Sequence, residues 1–147
     1  MNYCGRYILR NPQKYLGIGE NPIYKSSLEL KLMHWLDTNE RVLKFGYELI
    51  KVPYFFPVDC KNHKYVVDFV AYIANNQGII VKYLIEIKSD SDLLIPKKPI
   101  SPNSKNIKQY KNKMIIYIKN TSKWKAAEQF CKQTGFVWKL LSTKDIF

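Results

Sequence analysis

Two apolar segments joined by a tight turn lie in the middle of the 147-residue chain. Residues 65–73 and 79–88 are rich in Val, Ile and Tyr, and Asn75-Asn76-Gln77-Gly78 stands between them. β-Branched and aromatic residues favour strands, and a short Asn/Gly segment between two such runs is typical of a hairpin turn. The chain is therefore predicted to contain an antiparallel hairpin with a core strand on each side of the turn.

The other elements are predicted from periodicity, helix caps and chain breakers. A helix is expected over 27–38 with Ser26 as its N-cap, and Gly135 is expected to end a helix over 122–133. Further expected elements are a strand at 47–55, a short helix at 104–112, a strand at 113–119 and a last strand at 136–141. Residues 1–25 are expected to form an irregular N-terminal arm, and residues 93–104, with three prolines, a mobile basic loop.

The predicted order of elements is α-β-β-β-(α)-β-α-β. Strands interleaved with helices in this way predict an α/β (α+β) fold in which helices flank a mixed β-sheet. The length fits one domain over residues 1–147.

Positive charge is concentrated in the last third of the chain. The whole sequence has 24 Lys+Arg against 12 Asp+Glu, a formal net charge of +12. Residues 1–92 hold 12 basic and 10 acidic side chains, whereas residues 93–147 hold 12 lysines and two acids. The densest cluster consists of Lys97, Lys98, Lys105, Lys108, Lys111 and Lys113. Such a field suits a polyanion, because neutralising phosphates releases condensed counterions, so nucleic acid is the expected partner. The alternative is a solvated lysine-rich surface.

Several protein classes are excluded or disfavoured by what the sequence lacks. There is no run of 18 apolar residues, so no membrane-spanning helix and no membrane partner are expected. The first residues lack the apolar stretch of a secretion signal. Three widely spaced cysteines (Cys4, Cys60 and Cys131) indicate a reducing compartment, and the absence of CxxC or HxxxH spacing disfavours a zinc site.

Two carboxylates interrupt segments that otherwise have the composition of core strands. Asp68 lies within residues 65–72, and Glu86 lies two residues before Lys88 on the following strand. A buried carboxylate must be paired, hydrogen-bonded or bound to a metal, because an isolated buried charge is unfavourable. The hairpin can bring Asp68 beside Glu86, and two carboxylates with a lysine form an oxygen-rich site suited to Mg²⁺. The alternative is that strand alternation points all three side chains to solvent.

Glu29 is a third acidic residue in an apolar context. On a helical wheel it falls within the arc formed by Leu28, Leu32, Met33, Trp35 and Leu36. Ser26-Ser27-Leu28-Glu29 also matches a capping box, in which Glu29 would bond back to the Ser26 amide. We expect Glu29 to face the sheet that carries the other two carboxylates, with or without this capping role.

The combination of Glu29, Asp68 and Glu86-Ile87-Lys88 after a hairpin resembles the PD-(D/E)XK nuclease pattern. The flanking sequences resemble the head-completion nucleases of T-even-type tailed phages, and a related arrangement occurs in TnsA-type transposon-end endonucleases. The similar segments are Tyr3-Cys4-Gly5-Arg6, Asn11-Pro12-Gln13-Lys14-Tyr15, Tyr24-Lys25-Ser26-Ser27-Leu28-Glu29, Val52-Pro53-Tyr54 and Lys123-Trp124-Lys125-Ala126-Ala127-Glu128. Val67 and Ser89 stand where these families often have proline, and neither is a proposed ligand.

The resemblance implies a restriction-endonuclease-like core and a divalent-metal-dependent DNA endonuclease that processes packaged DNA during head completion, before tail attachment. It implies that Asp68 and Glu86 bind Mg²⁺, for which Mn²⁺ would substitute, and that Glu29 holds a second metal or a metal-bound water. Lys88 would orient or activate the attacking water. The implied partners are DNA and phage head or portal proteins, and the implied location is the host cytoplasm or the virion.

Two other functions are compatible with the same residues. A non-catalytic virion protein could keep the nuclease fold and use the lysine-rich third as a DNA clamp, since fold does not determine function. A transposon-end nuclease would share the chemistry but would need partner proteins.

Overall fold

The structure is a computed structural model and describes residues 3–146. Its strands are β1 (Gly5–Arg6), β2 (Ile23–Tyr24), β3 (Val42–Tyr47), β4 (Lys51–Phe56), β5 (Lys61–Val66), β6 (Phe69–Ala74), β7 (Ile80–Ile87) and β8 (Val137–Leu141). Its α-helices are α1 (Ser27–Thr38), α2 (Ser104–Thr134) and α3 (Thr143–Ile146), and 3₁₀ turns cover Pro12–Lys14 and Asp90–Leu93.

A four-stranded mixed sheet in the order β3-β6-β7-β8 forms the centre of the fold. β6 is antiparallel to both β3 and β7, whereas β7 and β8 are parallel. The predicted hairpin is confirmed: the Asn75 side chain accepts hydrogen bonds from the Gln77 and Ile79 amides, and Gly78 has a φ of +78°. Glycine adopts this left-handed conformation without the steric penalty that a Cβ would bring.

Helices cover both faces of this sheet, as predicted. On one face, Met33 and Leu36 of α1 pack in a core with Phe45 and Phe69. On the other face, Ala127 and Cys131 of α2 pack in a second core with Val70 and Leu84, and this core includes the β4–β5 hairpin. Successive residues of a strand point to opposite faces, so β6 and β7 contribute to both cores, and residues 69–71 and 84–87 are buried on both sides of the sheet.

The predicted first helix and both predicted caps are confirmed. The Ser26 hydroxyl accepts a hydrogen bond from the Glu29 amide at 3.1 Å, and α1 covers residues 27–38. Gly135 follows α2 with a φ of 81° and donates its amide to the Cys131 carbonyl. These local signals succeeded because they satisfy the amides and carbonyls that a helix end leaves without partners.

Two predicted strands have the wrong bounds. The segment predicted as one strand at 47–55 contains the end of β3 and most of β4, separated at Glu48, whose φ of 53° is incompatible with an extended chain. The segment predicted as one strand at 65–73 contains the end of β5 and most of β6, which belong to different sheets. Asp68 therefore lies at a break between strands rather than inside one.

The strand predicted at 113–119 is wrong, because this segment belongs to α2. The predicted elements at 104–112, 113–119 and 122–133 form one helix of 31 residues with no glycine or proline inside it. Ile115 and Ile116 are 41% and 58% exposed, whereas Met114, Tyr117 and Ile118 are half-buried, so the apolar run has one exposed side and is not a buried strand. None of the helices within residues 3–146 combines the length and apolar character that crossing a bilayer requires.

The described part of the N-terminal arm packs on the end of α1 around one buried acid. Asp37 has no exposed surface, and its carboxylate accepts hydrogen bonds from the Tyr7 hydroxyl and from the Arg10 and Asn11 amides at 2.7–2.9 Å. Burial by itself raises the pKa of Asp37, but these donors outweigh it and leave that pKa below its usual value. The arm is less irregular than predicted, because β1 and β2 pair within it.

Candidate active site

Asp68 and Glu86 come together because of the register of the β6–β7 hairpin. Phe69 pairs with Ile85, so the next residue outward, Asp68, lies level with Glu86. The Ile87 amide donates a hydrogen bond to Asp68 Oδ2 at 3.0 Å, which holds this carboxylate against the end of β7. The predicted proximity of these two acids is present in the structure.

Glu86 is buried and has two close partners. It is 4% exposed, the Tyr65 hydroxyl donates to its Oε2 atom, and Lys88 Nζ lies 3.5 Å from its Oε1 atom. Burial and the adjacent Glu86 charge raise the pKa of Tyr65 above its ordinary value, so the hydroxyl stays protonated and remains a donor.

Asp68 is electrostatically strained beside Glu86. Burial and then the neighbouring Glu86 charge raise the pKa of Asp68 to about 8, although the Ile87 hydrogen bond favours the ionised form. Two adjacent carboxylates in a poorly solvated place favour either a shared proton or a cation between them. The pair therefore has the chemistry of a cation-binding site.

Glu29 lies across a pocket from this pair. The pocket has a volume of about 270 Å³, and its lining includes Glu29, Asp68, Lys88 and Asp92, whereas Glu86 does not line it. Glu29 is 8% exposed and faces the sheet as predicted, and its charge contributes to the raised pKa of Asp68.

The capping-box prediction for Glu29 is only half right. Ser26 caps the Glu29 amide, but Glu29 Oε2 accepts from the Lys25 amide at 2.5 Å rather than from the Ser26 amide. The same oxygen accepts from the Tyr47 hydroxyl at 3.2 Å. Glu29 is thus held by a strand tyrosine, as Glu86 is.

Glu29, Asp68 and Glu86 do not meet at one point. Within residues 3–146, no three or more His, Cys, Asp or Glu side chains lie close enough together to hold a metal ion. Asp68 and Glu86 interact directly, and Glu29 acts on Asp68 only through its charge. The predicted three-carboxylate metal site is not assembled in this arrangement, and the close pair is the part that fits a cation.

The six predicted nucleic-acid-binding lysines are all exposed and begin next to this pocket. They occupy the segment after the Asp90–Leu93 turn and the first part of α2. A second pocket of about 460 Å³ lies between that segment and α2, lined by Lys97, Lys113, Tyr117 and Asp92 among others. Asp92 lines both pockets, so the lysine-rich region adjoins the acidic one.

Sequence analysis missed three residues at the site. Tyr47 and Tyr65 contact the two glutamates, and Lys123 on α2 lies with its Nζ atom 5.4 Å from the centre of the Tyr65 ring. A tyrosine in a strand and a lysine on a helix are ordinary locally, so no sequence signal singles them out. Only the packing of α2 and the β4–β5 hairpin on the sheet brings Lys123 and Tyr65 to Glu86.

Comparison with known proteins supports a nuclease relationship. A family model described as the TnsA-like endonuclease N terminal matches residues 39–143, a range that includes Asp68, Glu86, Lys88 and Lys123 and begins after Glu29. The chain is also 29% identical over 142 residues to the head completion nuclease of Enterobacteria phage T4, covering 97% of this chain and 92% of that protein. The mixed sheet between helices agrees with the restriction-endonuclease-like core of the TnsA-like domain.

Proposed function

Because this chain belongs to the TnsA-like endonuclease family, we propose that it is a divalent-metal-dependent DNA endonuclease that hydrolyses phosphodiester bonds. Its end-to-end similarity to a phage head completion nuclease further supports a role in phage head completion, where it would process packaged DNA before tail attachment. The observation that carries the chemistry is the Asp68–Glu86 pair beside Lys88.

The residues at the pair fit Mg²⁺, for which Mn²⁺ would substitute. Carboxylate oxygens are the ligands that Mg²⁺ prefers, and Asp68 and Glu86 repel each other unless a proton or cation lies between them. A bound divalent ion would lower the pKa of water and neutralise charge on the phosphate. Asp68 and Glu86 would hold this ion, and Glu29 would hold a second metal or a metal-bound water from across the pocket.

Lys88 is placed to act on the reacting phosphate. Its side chain is about one-third exposed, lines the pocket and lies 3.5 Å from Glu86. An ammonium group fixed in this position would orient the attacking water and stabilise the negative charge that develops on the phosphate oxygens. Glu86 in turn would hold Lys88 in place, while the Tyr65 hydroxyl holds Glu86.

The exposed lysines would bring DNA to the pocket. Lys97 and Lys113 line the neighbouring pocket, and Lys98, Lys105, Lys108 and Lys111 continue the basic surface away from it. Phosphate contacts of this kind position DNA without selecting its sequence. Beyond DNA, the proposed partners are phage head or portal proteins, in the host cytoplasm or the virion.

A cleavage assay tests this function. The parent chain, Asp68→Ala and Glu86→Ala are incubated with Mg²⁺ and either linear or branched DNA, with the exposed acid variant Glu40→Ala as a matched control. We expect the parent and Glu40→Ala to cut, and the two site variants to lose at least about 10²–10³-fold in rate, as when a group that stabilises transition-state charge is removed.

The same assay distinguishes a nuclease from a non-catalytic DNA-binding protein. Cleavage by folded Asp68→Ala and Glu86→Ala at the parent's rate would show that the site is elsewhere. Salt-dependent DNA binding by the parent without any Mg²⁺-dependent cleavage would instead identify a non-catalytic DNA-binding virion protein.

A further inference from the structure

On the premise that the chain is the nuclease proposed above, we propose that Lys119 and Lys123 extend its DNA-binding surface along one face of α2 into the active site. In this arrangement Lys123 holds a DNA phosphate next to the bond that is cut. Both residues lie outside the lysine cluster that the sequence singled out.

Four lysines share one face of α2. Lys105, Lys108, Lys119 and Lys123 are separated by 3, 11 and 4 residues, and each of these separations is close to a whole number of helical turns. Since a helix rises 1.5 Å per residue, the row is about 27 Å long, roughly the length of eight base pairs. The row runs from the exposed start of α2 to the part that packs on the sheet.

Aromatic rings of the β4–β5 hairpin hold the inner end of this row. Lys119 Nζ lies 5.8 Å from the centre of the Phe56 ring, and Lys123 Nζ lies 5.9 Å and 5.4 Å from those of Tyr54 and Tyr65. A cation near a ring face is attracted by the ring quadrupole, so the rings restrict the ammonium without neutralising it. The Tyr65 ring that contacts Lys123 carries the hydroxyl that donates to Glu86.

The charges around Lys123 fit phosphate binding. Lys123 is partly buried, and burial, followed by the positive charge of Lys119, lowers its pKa, whereas Glu86 and Asp68 act in the opposite direction. Lys123 is thus close enough to the carboxylates for their charges to act on its pKa, and its ammonium group lies against the Tyr54 and Tyr65 rings. A phosphate bound beside a cation held by the pair would lie near both Lys88, which contacts Glu86, and Lys123, whose charge interacts with Glu86 and Asp68.

The test measures DNA binding by the full chain without metal, so that it does not depend on catalysis. Lys123→Gln keeps most of the side-chain length but removes its charge, Lys123→Arg keeps the charge, and Lys125→Gln removes a charge from the opposite side of α2. Binding of a short linear duplex is followed against salt concentration. We expect Lys123→Gln to reduce the slope of log K against log salt by about 0.9, the loss of one phosphate contact. Lys123→Arg and Lys125→Gln should keep the parent's slope.

The rate of cleavage tests whether Lys123 acts next to the bond that is cut, and not only on the DNA-binding surface. With saturating DNA and Mg²⁺, Lys123→Gln should cut about 10- to 100-fold more slowly, the loss expected for one charge-assisted hydrogen bond. Lys125→Gln, on the opposite side of α2, should cut at the parent's rate. Lys119→Gln should reduce the slope of log K against log salt by about 0.9, as expected for the loss of one phosphate contact.

The outcomes are distinguishable from failure of the proposed function. If the slope of log K against log salt is the same for the parent, Lys123→Gln and Lys119→Gln, the proposal that these two lysines bind DNA is wrong, whether or not the parent cuts DNA. A parent that fails to cut overturns the nuclease, while the slopes still decide the binding surface. If Lys123→Gln does not fold, the exposed Lys119→Gln decides whether this face of α2 contacts DNA.

Discussion

Asp37 and Asp68 are both removed from solvent, but the protein treats them in opposite ways. Asp37, beneath the N-terminal arm, is completely buried, and three donors leave its pKa below the usual value. Asp68, at the pocket, is only partly buried, yet burial and the adjacent Glu86 raise its pKa to about 8. The more buried acid is therefore the one that is more readily ionised.

The contrast shows that burial raises the pKa of both acids, and that the number of hydrogen-bond donors and the charge of the nearest neighbour decide whether the carboxyl group still ionises readily. The bonds to Asp37 tie the arm to α1 and complete its hydrogen bonding. Asp68 has one backbone donor and a like-charged neighbour, an arrangement that is unfavourable in the isolated protein and becomes favourable when a cation binds. Strain of this kind at a pocket is the expected signature of a binding site.

The largest effect on stability is expected at Asp37. Asp37→Asn replaces a charged acceptor by an amide that must turn its NH₂ group toward a donor, so the free energy of unfolding should fall by roughly 2–4 kcal/mol. Chemical denaturation measures this change, and Glu40→Gln, an exposed acid near the same helix end, should leave stability unchanged.

The pH dependence of the Asp37 effect provides a control. Because the folded pKa of Asp37 lies below the unfolded value, its contribution is complete above about pH 5 and is lost as the pH falls below about 4. The difference between the parent and Asp37→Asn should narrow over that range. A difference that stays constant down to low pH would mean that the carboxylate charge is not what holds the arm.

Asp68→Asn should change the free energy of unfolding in the opposite direction from Asp37→Asn. Because the folded chain raises the pKa of Asp68, this carboxyl group destabilises the fold at neutral pH, and Asp68→Asn removes that cost. Without metal, the free energy of unfolding should rise by about 1–2 kcal/mol, while Mg²⁺-dependent cleavage is lost. Denaturation in the presence of a chelator measures the first effect. A loss of stability similar to that of Asp37→Asn would remove the distinction between the two acids.

The smallest effects are expected when either of two tyrosine hydroxyls is removed. Tyr7 donates to Asp37 and Tyr65 donates to Glu86, so replacing either by phenylalanine removes one hydroxyl from one region. Tyr65→Phe should lower cleavage about 10-fold and increase the Mg²⁺ concentration required, because an outer partner of a proposed metal ligand is lost. Tyr7→Phe should lower stability but leave the Mg²⁺ dependence of cleavage unchanged. If Tyr7→Phe changed the Mg²⁺ dependence and Tyr65→Phe did not, the distinction between a structural region around Asp37 and a functional region around Asp68 would be wrong.

Local signals in the sequence determined much of the framework. Ser26 and Gly135 predicted helix ends, and the Asn/Gly turn predicted the hairpin that places Asp68 beside Glu86. These features depend on interactions between residues close in sequence, such as caps, turns and strand alternation. That is why the hairpin could be predicted without a structure, whereas the register that puts Asp68 level with Glu86 came only from the structure.

Where the local pattern was ambiguous, prediction failed. The apolar run within 113–119 is compatible with either a strand or a helix, and nothing local distinguishes them. In the structure, α2 continues through this run as a helix with Ile115 and Ile116 exposed, and farther along the helix Trp124, Ala127 and Cys131 are buried. Glu48 likewise adopts a left-handed backbone conformation, with a φ of 53°, that the local sequence does not predict.

The sequence by itself determined the family resemblance, the hairpin, the main acids and the uneven distribution of charge. Only the tertiary structure decided that Asp37 is a structural acid, that Tyr47 and Tyr65 hold the glutamates, and that Lys123 reaches the site. The physical reason is that these contacts join segments far apart in the chain. Their geometry depends on how helices and hairpins pack, which short-range propensities do not specify.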